Sequence, residues 1–259
     1  MFQHQGPSRS SHQNRLIAGY LALIGGFVNS AGFLLIGSFT SHVTGNVGRL
    51  ANDLAVVELH AAAAALTMIV AFFTGAFAAS MAIESDFFRK VPYAYSFALF
   101  CEGLLFVVFM LLSRLTTAEN PRVQDAEAAI LCAAMGMQNS LVTRLSGAVV
   151  RTTHLTGVVT DLGIEAARWF RWWRSTLAKR VHVRLSFGHP SPEKPAIVKV
   201  ALLGTIAGSF MVGAIAGAIL VVHLHHATML IPSFGVFACA AYAFVNGRNI
   251  HENAPNSRV

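Results

Sequence analysis

Residues 196–222 read AIVKVALLGTIAGSFMVGAIAGAILVV. Lys199 is the one charged side chain, close to the start, and the remainder is apolar or small. A helix needs about 20 such residues to cross roughly 30 Å of hydrocarbon, so this stretch is long enough to span a bilayer. Five more stretches qualify: Leu16–Phe39, Ala61–Ile83, Tyr93–Leu112, Ala126–Leu145 and Ala227–Asn246. Composition agrees. Of 259 residues, 54% are apolar and 12% charged. That is about half the ~25% of soluble domains, too few charges to coat a water-facing surface. The fold class this predicts is an all-α polytopic membrane protein.

Two further stretches have a helical period and a polar face. Asn46–Val57 places Val47, Leu50, Leu54 and Val57 on one side and Arg49 and Asp53 on another. Gly157–Arg174 places Val158, Leu162, Trp169 and Trp173 opposite Asp161, Glu165 and Arg168. The first, at roughly 18 Å, is too short to cross alone. We read both as amphipathic, interfacial or re-entrant helices. If they crossed, making eight spans, their acids and arginines would cost about 2.5–3.5 kcal/mol each near a helix centre unless they faced a polar interior.

The 19 lysines and arginines set the orientation. Six crossings with a cytoplasmic amino terminus leave Arg49, Arg114 and Arg122 outside and all the others inside, the asymmetry expected of inner-membrane proteins. Both termini are then cytoplasmic. The basic stretch at 168–195 lies inside with them, facing the anionic inner leaflet. Its Trp169, Phe170, Trp172 and Trp173 alternate with Arg168, Arg171 and Arg174. Neighbouring spans make an interfacial helix the better reading of this pattern than a nucleic-acid surface. Residues 1–14 form a polar tail, and the long run after them reads as a first span and not as a cleaved signal.

The chain also repeats itself. Gly26, Asn29, Ser30 and Gly37 match Gly136, Asn139, Ser140 and Gly147 at an offset of 110. His42, Thr44 and Gly45 match His154, Thr156 and Gly157 at an offset of 112. Repeat 1 covers 15–115, a linker 116–125, repeat 2 covers 126–246, and 247–259 is a second polar tail. Three spans per repeat would invert one half relative to the other, an arrangement that recurs in secondary transporters. Asn-Ser followed by His-x-Thr-Gly, with Met135-Gly-Met-Gln-Asn-Ser140 and Thr152-Thr-His-Leu-Thr-Gly157, resembles the YoaK family of bacterial membrane proteins over roughly residues 15–246. That resemblance implies a multi-span protein of the bacterial inner membrane. It implies no substrate and no catalytic residue.

Candidate site residues follow from what a span cannot afford. Glu102 lies among Leu99, Phe100, Leu104, Leu105 and Phe106, where an ionised carboxylate must be paired, hydrated or protonated. It reads either as a proton- or cation-coupling acid or as a neutral acid bonded to a neighbouring helix. Asn29, Asn139 and Gln138 are buried amides that bind a solute or join helices. His42 and His154 precede Thr44 and Thr156, which are placed to cap the amphipathic helices; each turn reads as structural or as an anion or proton site. Gly204, Gly208, Gly213 and Gly217 have the small-xxx-small spacing of close helix packing, within the chain or in a homo-oligomer. Cys101, Cys132 and Cys239 form no CxxC pair. His223, His225 and His226 cluster in the turn between the last two spans and read as a wet loop. We expect no metal, cofactor or nucleic acid. No phosphate loop, HExxH or nucleophile elbow argues for an enzyme. The leading functional reading is a small permease or channel-like transporter of an unknown solute or ion. The alternatives are a non-transporting interaction or signalling protein and a lipid-acting membrane enzyme.

Overall fold

The computed structural model describes residues 11–85, 94–115, 120–145, 155–180 and 196–252. Among these it holds eight α-helices and no strand. They are α1 (Ser11–Ile36), α2 (Val43–Ala55), α3 (Leu59–Glu84), α4 (Ala94–Leu115), α5 (Pro121–Leu145), α6 (Leu155–Arg180), α7 (Ile197–Leu224) and α8 (Leu230–Glu252). A 3-10 turn, His225–Met229, joins the last two.

Four stretches are long and apolar enough to cross a membrane: Arg15–Ile36, Leu59–Glu84, Ala94–Arg114 and Ile197–Val245. The last is 49 residues long and contains both α7 and α8. α5 falls outside this set. Charged residues at its ends and the Gln138–Asn139 pair within it lower its hydropathy. It occupies the centre, with Leu131, Met135 and Leu141 fully buried. α3 and α7 instead present apolar side chains outward. Phe73, Phe77 and Met81 on one, and Met211, Ile215 and Ile219 on the other, are all exposed. Rows of large apolar side chains facing away from the protein are what lipid contact requires.

Glycine decides how the spans meet. A Cβ placed on Gly26 of α1 would lie 2.0 Å from the Phe210 carbonyl oxygen, and one on Gly213 of α7 would lie 2.0 Å from that of Leu23. The α3–α5 pair shows the same two contacts, Gly136 against the Phe72 carbonyl and Gly75 against that of Ala133, each again at 2.0 Å. No other residue allows backbones this close. Within each pair the helices run parallel. Gly19 meets Thr205, Leu23 meets Gly213 and Phe27 meets Gly217, so contacts advance together along α1 and α7. Along α3 and α5 the order is His60 with Asp125, Ser80 with Ser140, and Glu84 with Arg144.

Antiparallel contacts link these pairs. Gly32 packs on Leu131 while Gln138 bonds the Leu21 carbonyl, so α1 and α5 run in opposite directions. α4 and α8 are again antiparallel: Phe237 of α8 covers Gly103, and Phe109, further along α4, lies beside His226 in the turn that precedes α8. Ser113 of α4 donates to Glu127 of α5 at 2.8 Å across their hairpin.

Each amphipathic helix buries a polar residue against the bundle. α2 buries Asn46, while Val47 and Leu54 are exposed. α6 buries Glu165 beside Val158, and Trp173 points away from the protein. On α6 the buried acid meets Lys199 of α7, and both helices leave apolar side chains exposed for another medium.

Candidate functional site

α1 ends at Gly37, whose φ of +70° is a left-handed conformation that glycine adopts without strain. The chain then folds back through a polar turn. Asn29 of α1 holds that turn: its Oδ1 accepts from the Ser41 backbone N–H at 3.2 Å and from the Ser41 hydroxyl at 2.9 Å. Ser38 accepts from Arg49 of α2 at 2.9 Å. Thr40 is buried, and its hydroxyl has no hydrogen-bond partner among the described residues.

His42, not Thr44, is the N-cap position of α2, and its side chain makes no capping bond. The helix starts two residues earlier than the sequence suggests, which puts Thr44 inside the first turn. The imidazole lies over Gly45, where a Cβ would come 2.4 Å from His42 Nδ1. That explains the glycine in His-x-Thr-Gly. α6 starts at Leu155, so Thr156 is likewise inside its first turn. His154 lies outside the described residues.

Deeper in the bundle two polar side chains are fully buried. Glu102 of α4 is 0% exposed, and neither carboxyl oxygen meets a hydrogen-bond donor among the described residues. Gln138 of α5 is also 0% exposed; its Nε2 donates to the Leu21 carbonyl at 3.2 Å, and its Oε1 is unpartnered. Gln138 meets α1 directly, and Glu102 is near the same level. Glu102 is within electrostatic reach of Tyr20 and of Cys239 on α8, and Gln138 bonds the next residue, Leu21. The Tyr20 hydroxyl donates to the Gly235 carbonyl of α8 at 2.7 Å. Four spans, α1, α4, α5 and α8, therefore converge on this polar spot.

Asn29 and Asn139 are not brought together. On antiparallel α1 and α5 they lie toward opposite ends, roughly 10 Å apart along the axis. Asn139 donates to the Met135 carbonyl of its own helix at 3.0 Å. Sequence reasoning passed over Tyr20, a polar tip in an apolar run. It also passed over Ser96-Phe-Ala-Leu-Phe100 and Ser233-Phe-Gly-Val-Phe237, which repeat at an offset of 137. Phe100 and Phe237 touch, with ring centroids 5.4 Å apart.

Away from the spans, Glu165 of α6 accepts from Lys199 of α7 at 3.0 Å and from Arg168 at 2.8 Å. The Lys199 hydrogen bond first, and the two positive charges with it, hold its carboxyl below the ordinary 4.5. Among the described residues no group of three or more histidines, cysteines and acids is placed to hold a metal ion.

Long apolar helices joined through glycine crossings, with an apolar exterior, define an integral membrane protein. The chain belongs to the family described as protein of unknown function DUF1275, whose profile matches residues 17–243; the YoaK-like resemblance agrees with this. No curated relative and no solved structure matches it.

Proposed function

We propose that this protein is a small permease or channel-like transporter of the bacterial inner membrane, built from two inverted three-span halves with both termini cytoplasmic. The observation that carries the proposal is the pair of fully buried, incompletely partnered side chains Glu102 and Gln138, one within electrostatic reach of Tyr20 and the other bonded to Leu21. Polar groups left unsatisfied in a membrane interior are expensive, and a conducted ion or solute gives them a use.

Several observations support the architecture. Followed through their contacts, α1, α3, α4, α5, α7 and α8 alternate in direction, as six crossings require. The glycine contacts obey the repeat. Leu23 and Gly26 precede Ala133 and Gly136 by 110 positions, and Phe72 and Gly75 precede Phe210 and Gly213 by 138. Each crossing therefore maps onto the other when the halves are exchanged, with α4 and α8 facing each other at the axis. α2 and α6 start at positions related by the same 112 that relates the His-x-Thr-Gly turns. Exchange of halves with odd span number is the inverted arrangement of transporters.

The test is flux into vesicles holding the purified full chain. With a pyranine-loaded interior and an imposed proton gradient, protein-dependent proton entry is expected, and Glu102→Gln should abolish it while eluting as wild type does. Parallel vesicles with potassium, sodium and chloride gradients extend the test to other ions. Vesicles no leakier than protein-free controls for all four would overturn an ion-conducting function. The close glycine crossings would then favour the second reading, a non-transporting interaction or signalling protein.

A further inference from the structure

The helix α6 carries three faces. One, with Val158, Leu162 and Glu165, turns toward the bundle. The second is an unbroken apolar line: Val159, Ala166, Phe170, Trp173 and Leu177 recur at spacings of seven, four, three and four, and all are exposed. The Phe170 and Trp173 rings lie 6.2 Å apart on it. The third face carries Arg168, Arg171 and Arg174, also exposed. A helix that needed only water outside its protein contact would not keep a row of Phe, Trp and Leu there.

We propose that α6 binds the surface of its own bilayer as an in-plane foot, with the Val159–Leu177 line in the acyl-chain boundary and Arg171 and Arg174 on anionic phosphate headgroups. Two observations select lipid as the occupant. Glu165, near the middle of α6, is bonded to Lys199 in the first turn of α7. That turn is where a span enters hydrocarbon, so α6 is held at headgroup depth. The flanking charge is also of the sign that anionic lipid attracts, with arginines long enough to reach up from a buried apolar face. The corresponding helix at the opposite end, α2, shows what is specific here. It too exposes Val47 and Leu54, but its Arg49 lies 3.6 Å from Asp53 and leaves no net charge. Only α6 is built for an anionic leaflet.

The chain has three tryptophans, and all lie on α6, so intrinsic fluorescence reports on this helix alone. The experiment uses full-length protein in vesicles of phosphatidylcholine brominated at the 6 and 7 acyl carbons, with and without phosphatidylglycerol. A Trp169→Phe/Trp172→Phe chain, which keeps Trp173, should be quenched several-fold more than a Trp169→Phe/Trp173→Phe chain, which keeps the half-buried Trp172. Phosphatidylglycerol should deepen the Trp173 quenching, and Arg171→Gln/Arg174→Gln should remove that increment. If these variants fold poorly, a nitroxide on Ala166→Cys in a cysteine-free chain gives the second measurement. It should collide more with oxygen than with a water-soluble nickel chelate. Equal quenching of Trp173 and Trp172, or nitroxide relaxation dominated by nickel, would overturn the proposal. So would Trp173 quenching that appears only when protein is diluted in lipid, because a second copy would then be the natural cover. None of these readouts depends on whether the protein conducts a solute.

Discussion

At the scale of single residues, Glu102 stands out because nothing described bonds to it. The sequence marks it plainly, an acid in an apolar run, but whether a neighbouring helix answers it depends on packing that no local pattern encodes. A buried neutral acid without partners destabilises its own fold. Glu102→Leu is therefore expected to raise stability, by about 1–2 kcal/mol on the scale of mutational data, while removing any flux. Glu102→Gln should leave stability near wild type. Thermal unfolding of the three proteins in one detergent checks this, and a clear loss of stability in Glu102→Leu would mean that the acid has a partner. Glu165 behaves in the opposite way. Its folded-state carboxyl is held below 4.5 by Lys199 and the arginine beside it. The contribution is thus complete above the ordinary glutamate range and fades as pH falls through the lowered value. Tryptophan emission of wild type should change in acid below about pH 4.5 as α6 loosens from α7, whereas Glu165→Gln should show a flat profile there.

At the scale of elements, glycine sets the distances. Gly26→Ala and Gly136→Ala each place a Cβ 2.0 Å from a carbonyl oxygen of the neighbouring helix. Each should lower stability by about 1–3 kcal/mol, the usual cost of overpacking, and by similar amounts because their surroundings correspond. Gly208→Ala meets nothing within 4 Å and should be nearly silent. Melting temperatures of the three variants decide, and a silent Gly26→Ala would contradict the crossing. The helices themselves were legible: every apolar run of the sequence became a helix within a few residues of its expected limits. What was not legible is instructive. Thr44 has the chemistry of a cap, yet the polar turn held by Asn29 starts α2 two residues sooner. The amphipathic pattern of α2 did not say which residue would meet the bundle, and it is Asn46, since a short helix at the edge of a membrane has two apolar media to choose from. Gly75 drew no notice because its partner carbonyl, Ala133, lies far along the chain. Comparing Ser96–Phe100 with Ser233–Phe237, or Phe72 and Gly75 with Phe210 and Gly213, would have extended the repeat into the last spans.

At the scale of the whole molecule, the alternating directions predict sidedness. In a cysteine-free chain, a thiol at Ser85, just after α3, should react with a membrane-impermeant maleimide only from the cytoplasm, and one at Asn120 only from outside. The reverse result would turn the molecule over, and reaction of both from one side would break the six-span order. The crossed pairing of α1 with α7 and of α3 with α5 has a further consequence, for how the protein is made. A ribosome delivers α1 to the membrane with its glycine face bare, and the strip of α7 that covers it follows only after α2, α3, α4, α5 and α6 have been translated. Nascent chain must therefore wait in lipid, inserted but unassembled, until α7 has emerged. Neither α1–α4 nor α5–α8 is then expected to fold alone. A chain stopped after Leu115 should insert and then be cleared by membrane proteases, while the same fragment made alongside residues 116–259 should persist, because α5 and α7 carry the surfaces that α3 and α1 lack.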